Sequence, residues 1–419
     1  MPLVTEDDEM TASPRTLPGS PATGAQEART PWAWRLPTDA VLSSTHMLDA
    51  LLGGLMMFRY LPLVPSPVPV SDLVGMLFIL IMFFRHPRYR LGSAQVLVVG
   101  GMILLGYLVG VSFLNEVSWL RRSVHITVLA MTAMMVGTGR ASLTSILRGA
   151  CIGLVLNAAL FYAGAAPDSY GGLLTGYLED KNRAGMVIGT VGVLACGFAR
   201  RRFIPLIIVL TTAGVWLTGS RTTLGGLAAA MVWLLLRPMM TGLIPRLALG
   251  GVLAGLLNLL VDEYSQEGTF ADRAGSDLLR ASIDEAVSEK LQHTPLYGGG
   301  LGTATVDIDG HTWFFHNAYD GLRQEGGWVF LVAVVAVVVW LGLRPGRTRV
   351  TNLTDLFVEA ATVVLLVCAW KLGEVFLSIT TYALLAAGLR RYLASDDRTR
   401  ILRDEEAVLS QYNRATRNL

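Results

Sequence analysis

The sequence predicts an all-α fold, a polytopic transmembrane bundle of about twelve helices with one long outer-face loop that carries an amphipathic helix. Two observations carry that expectation. Apolar residues make up 52% of the chain and charged residues only 16%, against roughly 25% charge in soluble domains. Apolar windows long enough to cross a bilayer then recur along the chain, and they leave no room for a separate soluble domain of ordinary size. The net charge of +2 is close to neutral and gives no sign of nucleic-acid binding.

Residues 1–38 are rich in Pro, Thr, Ser, Ala and acidic side chains. They lack the basic-then-apolar layout of a cleavable signal and are expected to form a disordered cytoplasmic tail. Apolar windows follow at about 40–63, 67–84, 94–114, 123–139, 147–165, 184–199, 203–219, 222–236 and 244–261, making residues 39–261 the N-terminal membrane group. The first carries Asp49 and Arg59 and reads as tilted or partly interfacial. Residues 262–316 form the outer loop, windows at about 326–343, 354–370 and 374–389 make 317–391 the C-terminal group, and 392–419 is a cytoplasmic tail. Cys151, Cys196 and Cys368 each lie inside an apolar run without a partner at metal-ligand spacing, and read as small core or lipid-facing residues.

Arginine placement sets the orientation, because short cytoplasmic loops retain positive charge. With both termini inside, the clusters Arg85/Arg88/Arg90, Arg140/Arg148, Arg200/Arg201/Arg202, Arg237/Arg246, Arg344/Arg347/Arg349 and Arg390/Arg391 all fall in the cytoplasm. Arg121-Arg122 is the exception. Placed at the end of an outer loop, the pair has two readings: it meets an anion, or it snorkels to lipid phosphates.

Several polar residues at the outer ends of spans are candidates for chemistry. Arg221, set among Thr218-Gly219-Ser220 and Thr222-Thr223-Leu224-Gly225-Gly226, places a planar donor fork suited to phosphate beside small residues that admit a bulky headgroup. Lys181 and Asn182 form a second polar island, where Asn182 serves either as a helix cap or as a substrate contact. From Asp277 to Gln292 the spacing of Leu278, Leu279, Ile283, Val287 and Leu291 predicts a surface-lying amphipathic helix with Arg280 at its start. The Gly298-Gly299-Gly300-Leu301-Gly302 run lacks a preceding strand, so it reads as a turn that brings backbone close to something and not as a nucleotide loop. His316, at the mouth of a membrane helix, has the ordinary pKa of a general base, and its alternative is a structural histidine. Glu325 either orients groups in the cavity or pairs with Arg323. Neither a zinc motif nor a carboxylate cage surrounds His316, and Asp307 and Asp309 are a weak cation signal.

In order, Gly176 to Gly185 with Lys181-Asn182, the Gly219-Ser220-Arg221 helix start, Arg280 followed by Pro295-Leu296-Tyr297-Gly298-Gly299-Gly300, and His316-Asn317-Ala318-Tyr319 leading to Glu325-Gly326-Gly327 resemble the O-antigen ligase and polymerase family of bacterial membrane enzymes. The match spans roughly residues 170–345. Two departures stand out. Asp284 occupies the place where the family often has tryptophan, and Arg273 rivals Arg280 as the loop arginine.

That resemblance implies a transferase in the cytoplasmic membrane that takes a glycan from a polyprenyl-diphosphate donor and passes it to an acceptor hydroxyl on the outer face. Arg221 and Arg280 would grip the diphosphate and His316 would serve as base, with no metal or other cofactor. Substrate contacts would come from Arg273, Lys181, Asn182, Asn317, Tyr319, Glu325, Arg121 and Arg122. The partners implied are the lipid-linked donor, a glycan or lipid acceptor, membrane lipid, and a chain-length regulator or other polysaccharide assembly protein. Polymerase is preferred slightly over ligase. The competing class is a carrier or flippase for an anionic lipid or sugar, which the lack of an internal repeat disfavours.

Overall fold

The structure is a computed structural model that describes residues 46–59, 69–263, 274–347 and 352–396, with backbone alone for 257–263 and 274–277. The N-terminal tail, the 64–67 link, Arg273, Arg349 and the C-terminal tail from 397 onward lie outside the described residues.

The described chain is mostly helical. In order, the helices are α1 (Met47–Leu55), α2 (Val70–Phe83), α3 (Gln95–Leu114), α4 (Leu120–Gly137), α5 (Leu143–Tyr162), α6 (Lys181–Cys196), α7 (Ile204–Thr218), α8 (Arg221–Leu236), α9 (Leu243–Glu263) and α10 (Ala274–His293). A short antiparallel hairpin, β1 (Thr305–Ile308) and β2 (His311–Phe314), separates α10 from α11 (Ala318–Leu343), α12 (Leu353–Lys371) and α13 (379–396). Among the described residues, six helices are long and apolar enough to cross a membrane. Among the described residues the hairpin is the departure from an all-helical reading, since the alternation in Thr305–Phe314 is too short to stand out from a polar loop.

Small residues decide the packing. Gly185, Gly189 and Gly192 line one face of α6, against Ser220 and Thr223 of α8 and Thr211 of α7. Without side chains there, backbones approach closely, which is how helices associate where lipid supplies no hydrophobic drive between them. As a result α6 is buried from Ala184 to Cys196, with α12 buried beside it. Helices α1 and α5 meet in the same way, Gly149 facing the Ala50 backbone and Gly53 facing Ile146. Within the described part of the first apolar window lies a nine-residue helix. Its buried Asp49 is paired with Arg85 at 2.7 Å and accepts from the Ser142 amide at 2.8 Å.

Helix α11 is broken. Gly326 (φ −137°, ψ 23°) and Gly327 (φ 63°, ψ −163°) leave helical geometry, and the Pro295–Gly300 turn inserts there. The Gly299 amide donates to the Gln324 carbonyl at 2.7 Å, Gly300 to Glu325 at 3.0 Å, and Trp328 to Leu296 at 3.2 Å. Helix α3 supplies the floor beneath the turn: Tyr107 Oη donates to the carbonyl of Tyr297 at 3.0 Å and Ser112 Oγ accepts from the Leu301 amide at 2.8 Å. Above it, Ile283, Val287 and Leu291 of α10 pack on Val306 and Phe315 as a small separate core.

Charge collects at the two ends of the bundle. At one end Arg237 binds Glu359 at 2.6 Å and Arg391 binds Asp355 at 3.2 Å. At the other lie Arg122, Glu325, Glu374 and His316. Asp355 and Lys371 stand about 24 Å apart along α12 at ordinary helical rise.

Gly327 is expected to tolerate no side chain, since φ and ψ there suit glycine alone and a Cβ would run into the Leu296 carbonyl. Gly327→Ala should lose about 1–3 kcal/mol in thermal unfolding of the detergent-solubilised protein. Gly250→Ala, where a Cβ meets nothing within 4 Å, should leave stability unchanged or slightly raised.

Candidate active site

A cleft of about 400 Å³ opens between α10, the start of α11 and the end of α12. Arg280, Asp284, His316, Asp320, Arg323 and Lys371 form its polar walls. His316 is held from both sides along the chain. The preceding Phe315 is buried in the small core under α10, and the following Asn317 caps α11 by accepting from the Tyr319 amide at 2.9 Å. The imidazole is half-buried, and its Nδ1 is buried without a hydrogen-bond partner among the described residues. Burial lowers its pKa, and the Arg280 guanidinium lowers it further, while Asp284 and Asp180 pull the other way. A ring whose ordinary pKa is near 6.5 is therefore neutral, and able to accept a proton, at pH 7.

Arg280 and His316, far apart in sequence, thus share one cleft. Arg221 does not line it. Its helix packs on α12 through Thr223, whose Oγ1 is 3.6 Å from Cys368 Sγ, one turn before Lys371 at the cleft wall. Arg221 therefore stands half-buried at the same end of the bundle, behind the last turn of α12.

The other expected contacts are found in structural roles. Asp180, and not Asn182, caps α6, accepting from the amides of Asn182 at 2.9 Å and Arg183 at 2.8 Å. The cap is one of the charges beside Asn182, and a carboxylate there also meets the positive end of the helix dipole. Lys181 lies over the Tyr170 ring at 5.3 Å, and Tyr170 donates to Asp180 at 2.8 Å. Tyr319 donates to the Leu366 carbonyl at 3.0 Å, with its ring edge-on to Phe376.

Arg121 and Arg122 lie in the first turn of α4, not in a preceding loop. Arg121 is exposed. Arg122 meets anions, but they are the protein's own: it bridges Glu325 at 3.0 Å and Glu374 at 2.7 Å. Glu325 is 2% exposed and also accepts from the Gly302 amide at 3.1 Å. Of its two readings, pairing with Arg323 is not the one seen, since Arg323 sits over the Trp328 ring at 5.0 Å. The three charged groups line a small cavity of about 50 Å³ that also touches Asn317.

Lys371 and Asp320 in the cleft wall were not legible as site residues, because one reads as a span terminus and the other as a first-turn acid. Lys290 was also missed. Its Nζ donates to the carbonyls of Thr303 at 2.9 Å and Thr305 at 2.6 Å, tying α10 to the segment that leads to His316. His316 is also not alone at this end: His125 lies three residues after Arg122 and faces Asp72, a spacing that puts both on one helix face. Comparison with family models, with curated proteins and with solved structures found no match to the chain.

Arg122→Met leaves Glu325 as an uncompensated buried charge and is expected to lose about 3–5 kcal/mol of stability, read as a fall in Tm. Adding Glu325→Gln to that variant removes the charge and should recover part of the loss.

Proposed function

We propose that this protein is a glycan transferase of the O-antigen ligase and polymerase type. In this reading it moves a sugar chain from a polyprenyl-diphosphate donor to an acceptor hydroxyl at the outer face of a bacterial cytoplasmic membrane. The observation that carries the reading is that one cleft is walled by both Arg280 and a neutral, half-buried His316. A cation beside a base is what displacement of a diphosphate by an alcohol requires.

His316 takes the proton from the acceptor hydroxyl as that oxygen bonds to the anomeric carbon. The bond from that carbon to the diphosphate oxygen breaks, and the leaving polyprenyl diphosphate keeps the electron pair. Arg280 neutralises the developing charge, with Arg221 as the second guanidinium reaching the diphosphate from behind the α12 terminus. About twelve spans, both termini in the cytoplasm and the cleft facing outward complete the proposal. Extension of a polymer is preferred to ligation, because no residue in the cleft marks a particular non-glycan acceptor.

The charge distribution favours an enzyme over a carrier. Helices α4, α8 and α11 hold their described ionisable groups within about two turns of one end and leave their middles apolar. A pathway for an anion across the bilayer would place such groups at mid-depth on several helices.

Arg280→Ala is expected to lower the transfer rate by about 10²–10³, and His316→Ala by about 10²–10⁴, with purified lipid-linked donor and with folding and insertion intact. Arg221→Ala should fall in the same range as Arg280→Ala. Full activity in His316→Ala would overturn its role as base.

The rate should rise with pH along an acid limb centred below the ordinary histidine value, because burial and Arg280 both disfavour the imidazolium. Arg280→Gln removes the second of these causes. The limb of its residual activity should move to higher pH in a pH–rate profile.

A further inference from the structure

His125 lies one turn after Arg122 on α4, with its ring between α2 and the connector 372–378 that joins α12 to α13. Its Nδ1 is 2.9 Å from Oδ2 of buried Asp72, and its Nε2 is 3.1 Å from the carbonyl oxygen of Leu377. A carboxylate and a carbonyl both accept, whereas a neutral imidazole has a single N–H to donate. Both contacts are hydrogen bonds only while the His125–Asp72 pair holds one proton more than a neutral ring and an ionised carboxylate.

The connector that this ring grips is part of the wall behind the cleft. Glu374 binds Arg122, Phe376 packs on Tyr319, and both residues line the small cavity together with Leu377 and Asn317, the neighbour of His316. The charges facing the ring are Asp72 from α2, Arg122 from α4 itself and Glu374 from the connector, with Glu325 of α11 acting through Arg122. Arg59 faces Glu374 from the segment after α1. Asp72 and Glu374 attract an imidazolium at His125 and Arg122 repels it.

We propose that the proton shared by His125 and Asp72 latches the connector onto α2 and α4, and that His125 is thereby a positioning residue for the His316 cleft. When the proton leaves, the ring keeps one donor. The charge-assisted bond to Asp72 is the stronger of the two, so the Leu377 contact is the one released and the connector loosens. The positioning role rests on the cleft being the active site; the latch does not.

Hydrogen exchange of the segment 372–378 in the detergent-solubilised protein, followed from about pH 6 to about pH 9 and corrected for intrinsic exchange, tests the latch. Protection in the wild type should fall about tenfold across a single step as pH rises. Asp72→Asn puts a carboxamide N–H opposite a neutral ring, so it should keep protection at every pH. His125→Gln should exchange at the high-pH rate throughout. Wild-type protection that does not change with pH, or a step that survives in Asp72→Asn, overturns the latch. A step in exchange with no accompanying fall in glycan transfer overturns the positioning role. An absence of glycan transfer at every pH refutes the proposed function and leaves the exchange result standing.

Discussion

The break in α11 at Gly326-Gly327 is the constraint on which the rest of this end of the molecule depends. In an apolar surround every backbone donor and acceptor needs a partner within the protein, and each unmet group costs several kcal/mol. Interrupting a helix frees such groups, and here the 295–300 turn meets them from outside the helix. Glycine is required on both sides of the contact, since Gly298 and Gly300 have positive φ and Gly298 lies against the Gly326-Gly327 backbone. The break in turn sets where Glu325 ends its short helical segment, and the turn sets where the chain leaves α10 for the hairpin.

From that fixed point the charged groups fall into order. Glu325, buried at the break, is matched by Arg122 from α4, and Arg122 also holds Glu374 on the far connector. One guanidinium thus ties three separate parts of the chain together. A buried ion pair is weak evidence for stability on its own, but removing one member strands the other. The neighbouring cleft has a different character. It is open and of mixed charge, with Arg280, Asp284, Asp320, Arg323 and Lys371 around the histidine.

Much of this was legible in the sequence because it follows from local pattern. The apolar windows, the amphipathic face of α10 and the close-approach role of the glycine turn all follow from spacing within a few residues. The helix starts at Lys181, Arg221 and Ala318 also fell close to expectation. What escaped was the pairing between distant segments. Nothing near Arg122 announces Glu374, and nothing near Lys290 announces the carbonyls of Thr303 and Thr305. The break inside α11 was hidden because a Gly-Gly pair in an apolar run reads equally as a tolerated helical site. Arg280 and His316 line one cleft, whereas Arg122 and Glu325 are held by each other and by Glu374 and the Gly302 amide, partners that lie far away in sequence.

The anchorage of α10 at its C-terminal end has a mechanical consequence. Lys290 and Thr294 fasten its C-terminal end to the hairpin segment and to Gln324, while Arg280 sits about 15 Å farther along at ordinary helical rise. The described part of the helix is therefore fastened at its C-terminal end and rests on Leu279, Ile283, Val287 and Leu291 as its bearing, with Arg280 beside the outermost of them. A small tilt about that bearing would displace Arg280 far more than His316, which is pinned between Phe315 and the Asn317 cap. The two walls of the cleft thus differ in compliance, the arginine side resting on a packed helix and His316 on backbone held to either side.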